Sequence, residues 1–162
     1  MYTEYQPSHL LVPYIDSYWE FKGNPDYGMR IHILPDGCTD FIFTLGEVAN
    51  AVEEGSLMMQ PYRSYFVGPM TKYSELVTYT ESIHMFGVRF LPCGLSCFTN
   101  LPLHEFVNSR VSTNEMKAVF DDTFIEKLGE QKHVTDRIRV VEEYLLAYLA
   151  RHYQPADSHV AM

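Results

Sequence analysis

The stretch Leu34–Gly46, LPDGCTDFIFTLG, gives the clearest indication of the fold. Its Asp36-Gly37 pair is a strong hairpin signal, because glycine accepts positive φ and aspartate hydrogen-bonds its own backbone. Apolar side chains then recur at every second position, with polar ones between them: Phe41, Phe43 and Leu45 alternate with Asp40 and Thr44. The stretch therefore predicts a tight turn followed by a half-buried strand.

The same stretch places Cys38 between two carboxylates, those of Asp36 and Asp40. Nucleophilic chemistry needs the thiolate form of cysteine, and neighbouring negative charge disfavours that form. We therefore predict a structural position for Cys38 rather than a catalytic one.

Runs with a period of two extend from Tyr14 to Phe90 and are separated by turn residues such as Gly23-Asn24-Pro25 and Gly68-Pro69. Many short antiparallel strands at this spacing indicate a barrel or jelly roll, because closure or double layering hides the edges of the sheets. We predict an N-terminal antiparallel β barrel or jelly roll over this part of the chain.

After these runs the apolar spacing changes to that of helices. Pro92 suits the first turn of a helix, and Pro102 ends that segment. Two capping-box patterns follow, at Ser112–Glu115 and Thr123–Glu126, and Gly129 is placed to close the second helix. A helical segment after the strands predicts an α+β fold.

The last predicted helix carries one narrow apolar stripe, whose members step by four and three residues: Val134, Ile138, Val141, Leu145 and Tyr148. A narrow stripe is typical of a coiled-coil seam, and it marks these five residues as candidates for dimerisation. The stripe is little more than two heptads long, so a helix that covers the sheet of its own chain is the alternative interpretation.

Length and charge restrict the class of protein. The 162 residues suffice for one domain with a substantial core. Twelve Lys and Arg against 21 Asp and Glu give a formal charge of −9, whereas phosphate contacts with nucleic acid need a concentrated basic surface. No apolar run would span a membrane and the polar start is no secretory signal, so we expect a cytoplasmic protein with three reduced cysteines.

Signatures of metal binding and catalysis are weak. The seven histidines form no His-x-His pair, and Cys93-x-x-x-Cys97 followed by His104 is the one arrangement that includes thiols. Such cysteines are more often small buried residues than ligands. Nucleophile-elbow, phosphate-loop and dinucleotide-binding motifs are missing. We expect no metal, no cofactor and no catalytic residue.

Aromatic residues make up 14% of the chain, and a β barrel can enclose one small ligand between aromatic walls with a few polar groups. The residues that we select as candidate ligand-binding residues are Trp19, His32, Tyr65 and Arg89. Ordinary core packing is the alternative for each of them.

Several motifs in fixed order resemble the N-terminal regulatory domain of a branch of AraC-family transcription regulators. The resemblance covers residues 7–150 and rests on these segments: Tyr18-Trp19, Leu34-Pro35-Asp36-Gly37, Asp40–Gly46, Gly68-Pro69, Gly87–Phe90 with Pro92 and Gly94, and Asn100–Phe106.

This resemblance implies a cupin-like sensor barrel over residues 1–92 and a helical dimerisation segment over residues 93–153. Residues 154–162 would begin a linker to a pair of DNA-binding helix-turn-helix units, which this sequence lacks. The protein would then bind an unidentified small-molecule effector, form a homodimer and meet DNA only through those units. A small cupin-type enzyme, an isomerase or metal oxygenase, and a purely structural oligomerisation module are the alternatives.

Overall fold

A computed structural model describes residues 2–23, 30–33, 37–45, 49–51, 62–69, 71, 74–78, 83–100, 102–113, 120 and 122–152. Within these ranges the side chains of residues 30–33, 49–51, 74–78, 110 and 122 lie outside the description.

The described part of the chain contains nine strands and two α-helices. The strands are β1 (Tyr2–Tyr5), β2 (Ile15–Gly23), β3 (Arg30–Ile33), β4 (Thr39–Thr44), β5 (Ala49–Ala51), β6 (Ser64–Val67), β7 (Ser74–Thr78), β8 (Ile83–Phe90) and β9 (Arg110–Ser112). The helices are α1 (Asp122–Gly129) and α2 (Val134–His152). Short 3-10 turns occur at His9–Leu11, Leu95–Cys97 and Leu103–Phe106.

The strands form two antiparallel sheets, a six-stranded one in the order β1-β2-β8-β4-β6-β9 and a three-stranded one in the order β3-β7-β5. From β2 to β8, consecutive strands alternate between the two sheets. Sheets followed by helices confirm the α+β fold. The six-stranded sheet is not closed within the described residues, so the closed barrel stays a prediction.

The hairpin expected at Asp36-Gly37 is wrong. Gly37 does have a positive φ of 75°, which glycine tolerates without a Cβ clash. However, β3 pairs with β7 while β4 pairs with β6 and β8, so the chain crosses here from one sheet to the other. Cys38 is buried just after this crossing, and residues 34–36 lie outside the described ones.

One face of the six-stranded sheet, which we call the helix face, packs against α1 and α2. Its core is aromatic and shared by strands and helices: Tyr18, Phe41, Phe43, Phe66, Phe86 and Phe90 are buried in one cluster with Phe120, Phe124, Val141 and Leu145. A register shift between Ile15 and Ser17 leaves Asp16 as an extra residue in β2. Because of this bulge, Ile15 joins the helix-face core rather than facing the same way as Trp19, as strict alternation predicts.

The apolar stripe of α2 faces the sheet of its own chain. Val141 and Leu145 are completely buried in the shared core, and the other three members, Val134, Ile138 and Tyr148, pack partly against it. The covering-helix interpretation therefore describes this arrangement, since a seam between two chains needs accessible side chains. Dimerisation through the stripe stays a prediction.

The segment after residue 92 differs in part from the helices that the sequence indicates. Residues 95–97 form a single 3-10 turn, and Ser112, the first residue of the predicted capping box, is the last residue of strand β9. Residues 114–119 of that expected helix lie outside the described ones. Thr123 lies inside α1, which begins at Asp122, while the predicted end at Gly129 is confirmed. Since β9 pairs with β6, the segment from residue 93 contributes to the sheet as well as to the core.

A buried ion pair joins α2 to the sheet. Arg137, which is 5% exposed, donates through Nη1 to Oε2 of Glu20 at 3.0 Å and through Nη2 to the carbonyl of Gln131. The same oxygen of Glu20 lies 2.9 Å from Nε2 of His84. Burial lowers the pKa of His84, the hydrogen bond with Glu20 opposes this, and the charge of Arg137 adds to the lowering.

No helix in the described ranges has the length and apolar character needed to cross a bilayer.

Replacement of Gly68 by alanine should destabilise the protein. A Cβ at Gly68 would lie 1.9 Å from the carbonyl oxygen of Phe106, a backbone atom that cannot move away, so we expect Gly68→Ala to cost about 1–3 kcal/mol of unfolding free energy or more. Gly129→Ala is the matched control, because a Cβ there meets nothing within 4 Å. Urea unfolding of both variants checks this; equal stabilities would contradict the tight contact at Gly68.

Stability should fall as the pH drops through the ordinary pKa of histidine. The lowered pKa of His84 means that the unfolded chain takes up a proton before the folded protein does, so acidification favours unfolding. Urea unfolding at pH 7.5 and 5.5 measures the difference for the wild type. This difference in stability between the two pH values should be smaller in His84→Gln. His104→Gln, at an exposed histidine, controls for the loss of one imidazole. An unchanged pH dependence in His84→Gln would contradict this role.

Candidate functional site

The opposite face of the six-stranded sheet, which we call the distal face, carries the candidate site. Two rows of side chains cross it. One row runs through Trp19, Gly87, Ile42 and Tyr65, and the next runs through Ser17, Arg89, Asp40 and Val67. The antiparallel register makes the members of each row direct neighbours on one face.

The indole of Trp19 lies directly on Gly87 of the neighbouring strand. A Cβ at Gly87 would be 1.9 Å from Cε2 of the indole, so only glycine leaves room for the ring in this position. The indole Nε1 donates a hydrogen bond to Oδ1 of Asp40 at 3.0 Å, reaching across β8 to β4. Trp19, 6% exposed, is thereby held by packing below and a hydrogen bond at its edge.

Arg89 stands at the centre of a polar group that we call the Arg89 cluster, formed by Tyr2, Glu4, Asp16, Trp19, Asp40 and Arg89. Its Nη1 donates to Oε2 of Glu4 at 3.1 Å, and its Nη2 donates to the hydroxyl of Tyr2 at 3.2 Å. Its Nε lies 3.4 Å from Oδ1 of Asp40, and Nη1 lies 3.9 Å from Oδ2 of Asp16. One guanidinium therefore faces three carboxylates.

The edge strand β1 supplies the outer part of the cluster. Tyr2 donates to Oε2 of Glu4 at 2.7 Å, and its ring centre lies 5.9 Å from that of Trp19. Burial and the hydrogen bond to Glu4 raise the pKa of Tyr2 to about 12, against the opposing effect of Arg89. The hydrogen bonds from Tyr2 and Arg89 lower the pKa of Glu4 although burial opposes them. At neutral pH Tyr2 is thus a donor and Glu4 a charged acceptor.

The exposure of the side chains differs across the Arg89 cluster. The side chains of Asp40 and Arg89 are 15% and 19% exposed, whereas those of Glu4 and Asp16 are 45% and 42% exposed. Two aromatic rings and several charged hydrogen-bonding groups therefore meet at the rim of the distal face. Hydrogen-bonding groups and ring surfaces of this kind are what small-molecule sites in proteins generally use, and the cluster includes no pairing of a nucleophile with a base.

The thiols do not form a metal site with the described residues. Cys93, Cys97 and His104 are exposed, contrary to the expectation that the cysteines are buried. Within the described part of the chain, no three side chains of the ligand-forming types come together.

Two of the four ligand-binding candidates meet in the cluster, since Trp19 and Arg89 both contact Asp40. Tyr65 is buried on the same face, three strands away from Trp19 in the same row. His32 belongs to β3, and its side chain lies outside the described residues.

Sequence reasoning missed Asp40, Tyr2 and Glu4. It assigned Asp40 to the polar side of an alternating strand. Only the register of the sheet shows that Asp40 of β4 lies beside Arg89 of β8 on the same face. Tyr2 and Glu4 are two residues apart and so share a face of any strand, which is a signal that the sequence does contain.

Two surface cavities lie elsewhere, on either side of α1. One of about 380 Å³ includes Phe43, Leu45 and Ile125 in its wall, and the other, of about 320 Å³, lies between α1 and α2 beside Phe124 and Tyr144. Neither is lined by a residue of the Arg89 cluster.

Comparison with protein families finds a match to the model described as Domain of unknown function (DUF6597) over residues 3–112. Because this match covers more than half of the chain, the protein belongs to the DUF6597 family. The matched range contains β2 to β9 and every residue of the Arg89 cluster except Tyr2, while α1 and α2 follow it. No curated protein matches the chain.

Gly87→Ala should displace Trp19 and destabilise the fold. The added methyl group overlaps the indole, so we expect a loss of about 1–3 kcal/mol and a red-shifted fluorescence of Trp19, the one tryptophan of the chain. A double-mutant cycle with Trp19→Leu provides the control. The alanine should cost much less when the indole is absent, and strictly additive losses would contradict the contact.

Proposed function

We propose that this member of the DUF6597 family is the effector-sensing and dimerisation domain of a transcription regulator of the AraC type. DNA-binding helix-turn-helix units outside these 162 residues would read the DNA. A small-molecule effector would bind at the distal face against the Arg89 cluster and change the arrangement of the helices. The domain itself would be a cytoplasmic binding module without catalytic activity.

The alternation of strands between two sheets supports the finer part of the fold proposal, a cupin-like jelly roll. In a jelly roll the chain passes repeatedly from one sheet to the other, as it does here from β2 to β8. Distal-face residues such as Tyr65, Met85 and Val67 are buried although the helices lie on the other face. A second layer over the distal face accounts for their burial, and the three-stranded sheet is our candidate for that layer.

The Arg89 cluster is the observation that carries the proposal. Taking charged groups out of water costs desolvation energy, which their hydrogen bonds and mutual attraction must offset. Here three carboxylates share Arg89, and the two most accessible ones belong to Glu4 and Asp16. Their accessible oxygens and the ring of Tyr2 would accept hydrogen-bond donors and a flat surface of an effector.

Dimerisation is the second part of the proposal. Val141 and Leu145 are occupied by the core of their own chain, so contacts between two copies through α2 would use the less buried Val134, Ile138 and Tyr148. The formal charge of −9 fits a domain that leaves DNA contacts to other units.

Arg89→Met should weaken effector binding. The test begins with native mass spectrometry of the purified protein, followed by a screen of small organic acids, amines and sugars that is monitored by the fluorescence of Trp19. For a compound that binds, we expect at least tenfold weaker binding by Arg89→Met, because a charge-assisted contact is lost. Arg139→Met is the matched control, since Arg139 is an exposed arginine paired only with Asp136 among the described residues.

Four outcomes would contradict the proposal. Unchanged binding by Arg89→Met would move the effector site away from the cluster, and loss of binding on Ile125→Trp would place it in the cavity beside α1. A stoichiometric metal on a monomeric protein would favour a cupin-type enzyme. A strict monomer at high concentration would remove the dimerisation part.

A further inference from the structure

We infer that strand β2 couples the Arg89 cluster mechanically to helix α2, through the three consecutive residues Tyr18, Trp19 and Glu20. Side chains of a strand alternate between its faces, so the outer two point to α2 while the middle one points to the cluster. The inference rests on the proposed function, because it concerns how binding at that site is passed on.

The first contact with the helix is made by Tyr18. Its hydroxyl donates to Oε2 of Glu142 at 2.9 Å, and the backbone amide of Ser8 donates to the same oxygen at 2.8 Å. Tyr18 is completely buried, and burial together with the charge of Glu142 raises the pKa of the phenol far above its ordinary value. The hydroxyl therefore remains a donor, and Glu142 in the middle of α2 is fixed relative to β2.

The second contact is made by Glu20, whose Oε2 accepts from Arg137 near the start of α2. His84 of β8 bonds to the same oxygen, so the carboxylate ties two strands and one helix together. Arg137 is buried, and its Nε has no hydrogen-bond partner among the described residues. The bond to Glu20 and the bond to the carbonyl of Gln131 therefore hold this charge, and a displacement of Glu20 must move Arg137 as well.

Trp19 lies between these two residues and is held on the distal face. Gly87 supports the indole from below and Asp40 holds its nitrogen. In the inferred coupling, an effector that displaces the indole breaks the bond to Asp40 and shifts the backbone of β2. Planar peptide bonds connect Trp19 to its neighbours, so a shift of its backbone is passed to Tyr18 and Glu20.

The consequence is a reciprocal coupling between the distal face and α2. A ligand that changes the position of Trp19 changes the two anchors of α2, and contacts of α2 that shift the helix must change ligand affinity by the same factor. Tyr18 and Glu20 are in this sense positioning residues for α2, whereas Trp19 and Arg89 would contact the effector.

The experiment uses Trp19 as the probe and needs no effector. Tyr18→Phe removes one hydroxyl on the helix face, and Glu142→Gln weakens the same contact from the helix, which covers the case that one variant folds poorly. We expect both to raise the acrylamide quenching constant of Trp19 at least twofold under conditions where urea titration shows a folded protein. Val111→Ala, on the same face but on the far strand β9, is the control and should leave the quenching unchanged.

Hydrogen exchange measures the coupling in the reverse direction, from the distal face to α2. Asp40→Asn weakens the hydrogen bond of the indole on the distal face, and we expect the amides around Glu142 to exchange at least fivefold faster. Faster exchange around Glu142 in Tyr18→Phe with unchanged quenching of Trp19 would overturn the coupling, because the helix would then be released without any effect on the distal face.

The two proposals fail separately. If an effector binds at Arg89 but the quenching of Trp19 does not change in Tyr18→Phe, the coupling is refuted and the sensor function is not. A responsive Trp19 in a protein that binds none of the screened compounds would support the coupling and count against the sensor function.

Discussion

The pairing of β2 with β8 is the constraint on which the rest of the structure depends. Eight residue pairs align the two strands, and their register decides which side chains meet on each face. On the distal face it sets Trp19 over Gly87 and brings Ser17 beside Arg89. On the helix face it sets Glu20 near His84, where one carboxylate oxygen bonds to both His84 and Arg137. A shift by one residue would exchange the two faces and disrupt both arrangements.

Different interactions stabilise the two faces of the six-stranded sheet. Aromatic rings fill the helix face, where most pairs are edge-on or tilted and Tyr18–Phe86 and Phe120–Phe124 are stacked. Burial of apolar area supplies the attraction between sheet and helices. Among the polar groups on that face, Tyr18 and Glu20 bond to α2. The distal face instead concentrates charge around Arg89, where three carboxylates face one guanidinium.

The DUF6597 match ends at residue 112, which is also the last residue of β9. The matched residues hold both sheets and nearly all of the Arg89 cluster, whereas Arg137 and Glu142 belong to α2 beyond the match. Within the proposed function, the matched part would carry recognition and α2 would carry the output. The ring of Phe120 and the helices then complete a core that the strands alone leave uncovered.

The sequence by itself determined the α+β class, the end of α1 at Gly129 and a last helix through the stripe that begins at Val134, because period, caps and glycine act locally along the chain. It also marked Trp19 and Arg89. Tertiary structure alone decided that Asp36-Gly37 leads into another sheet, that Asp16 is a bulge, that the stripe of α2 is covered by its own sheet, and that Asp40 joins Trp19 to Arg89. These outcomes depend on which strands pair and in which register, and residues far apart in the chain decide that together.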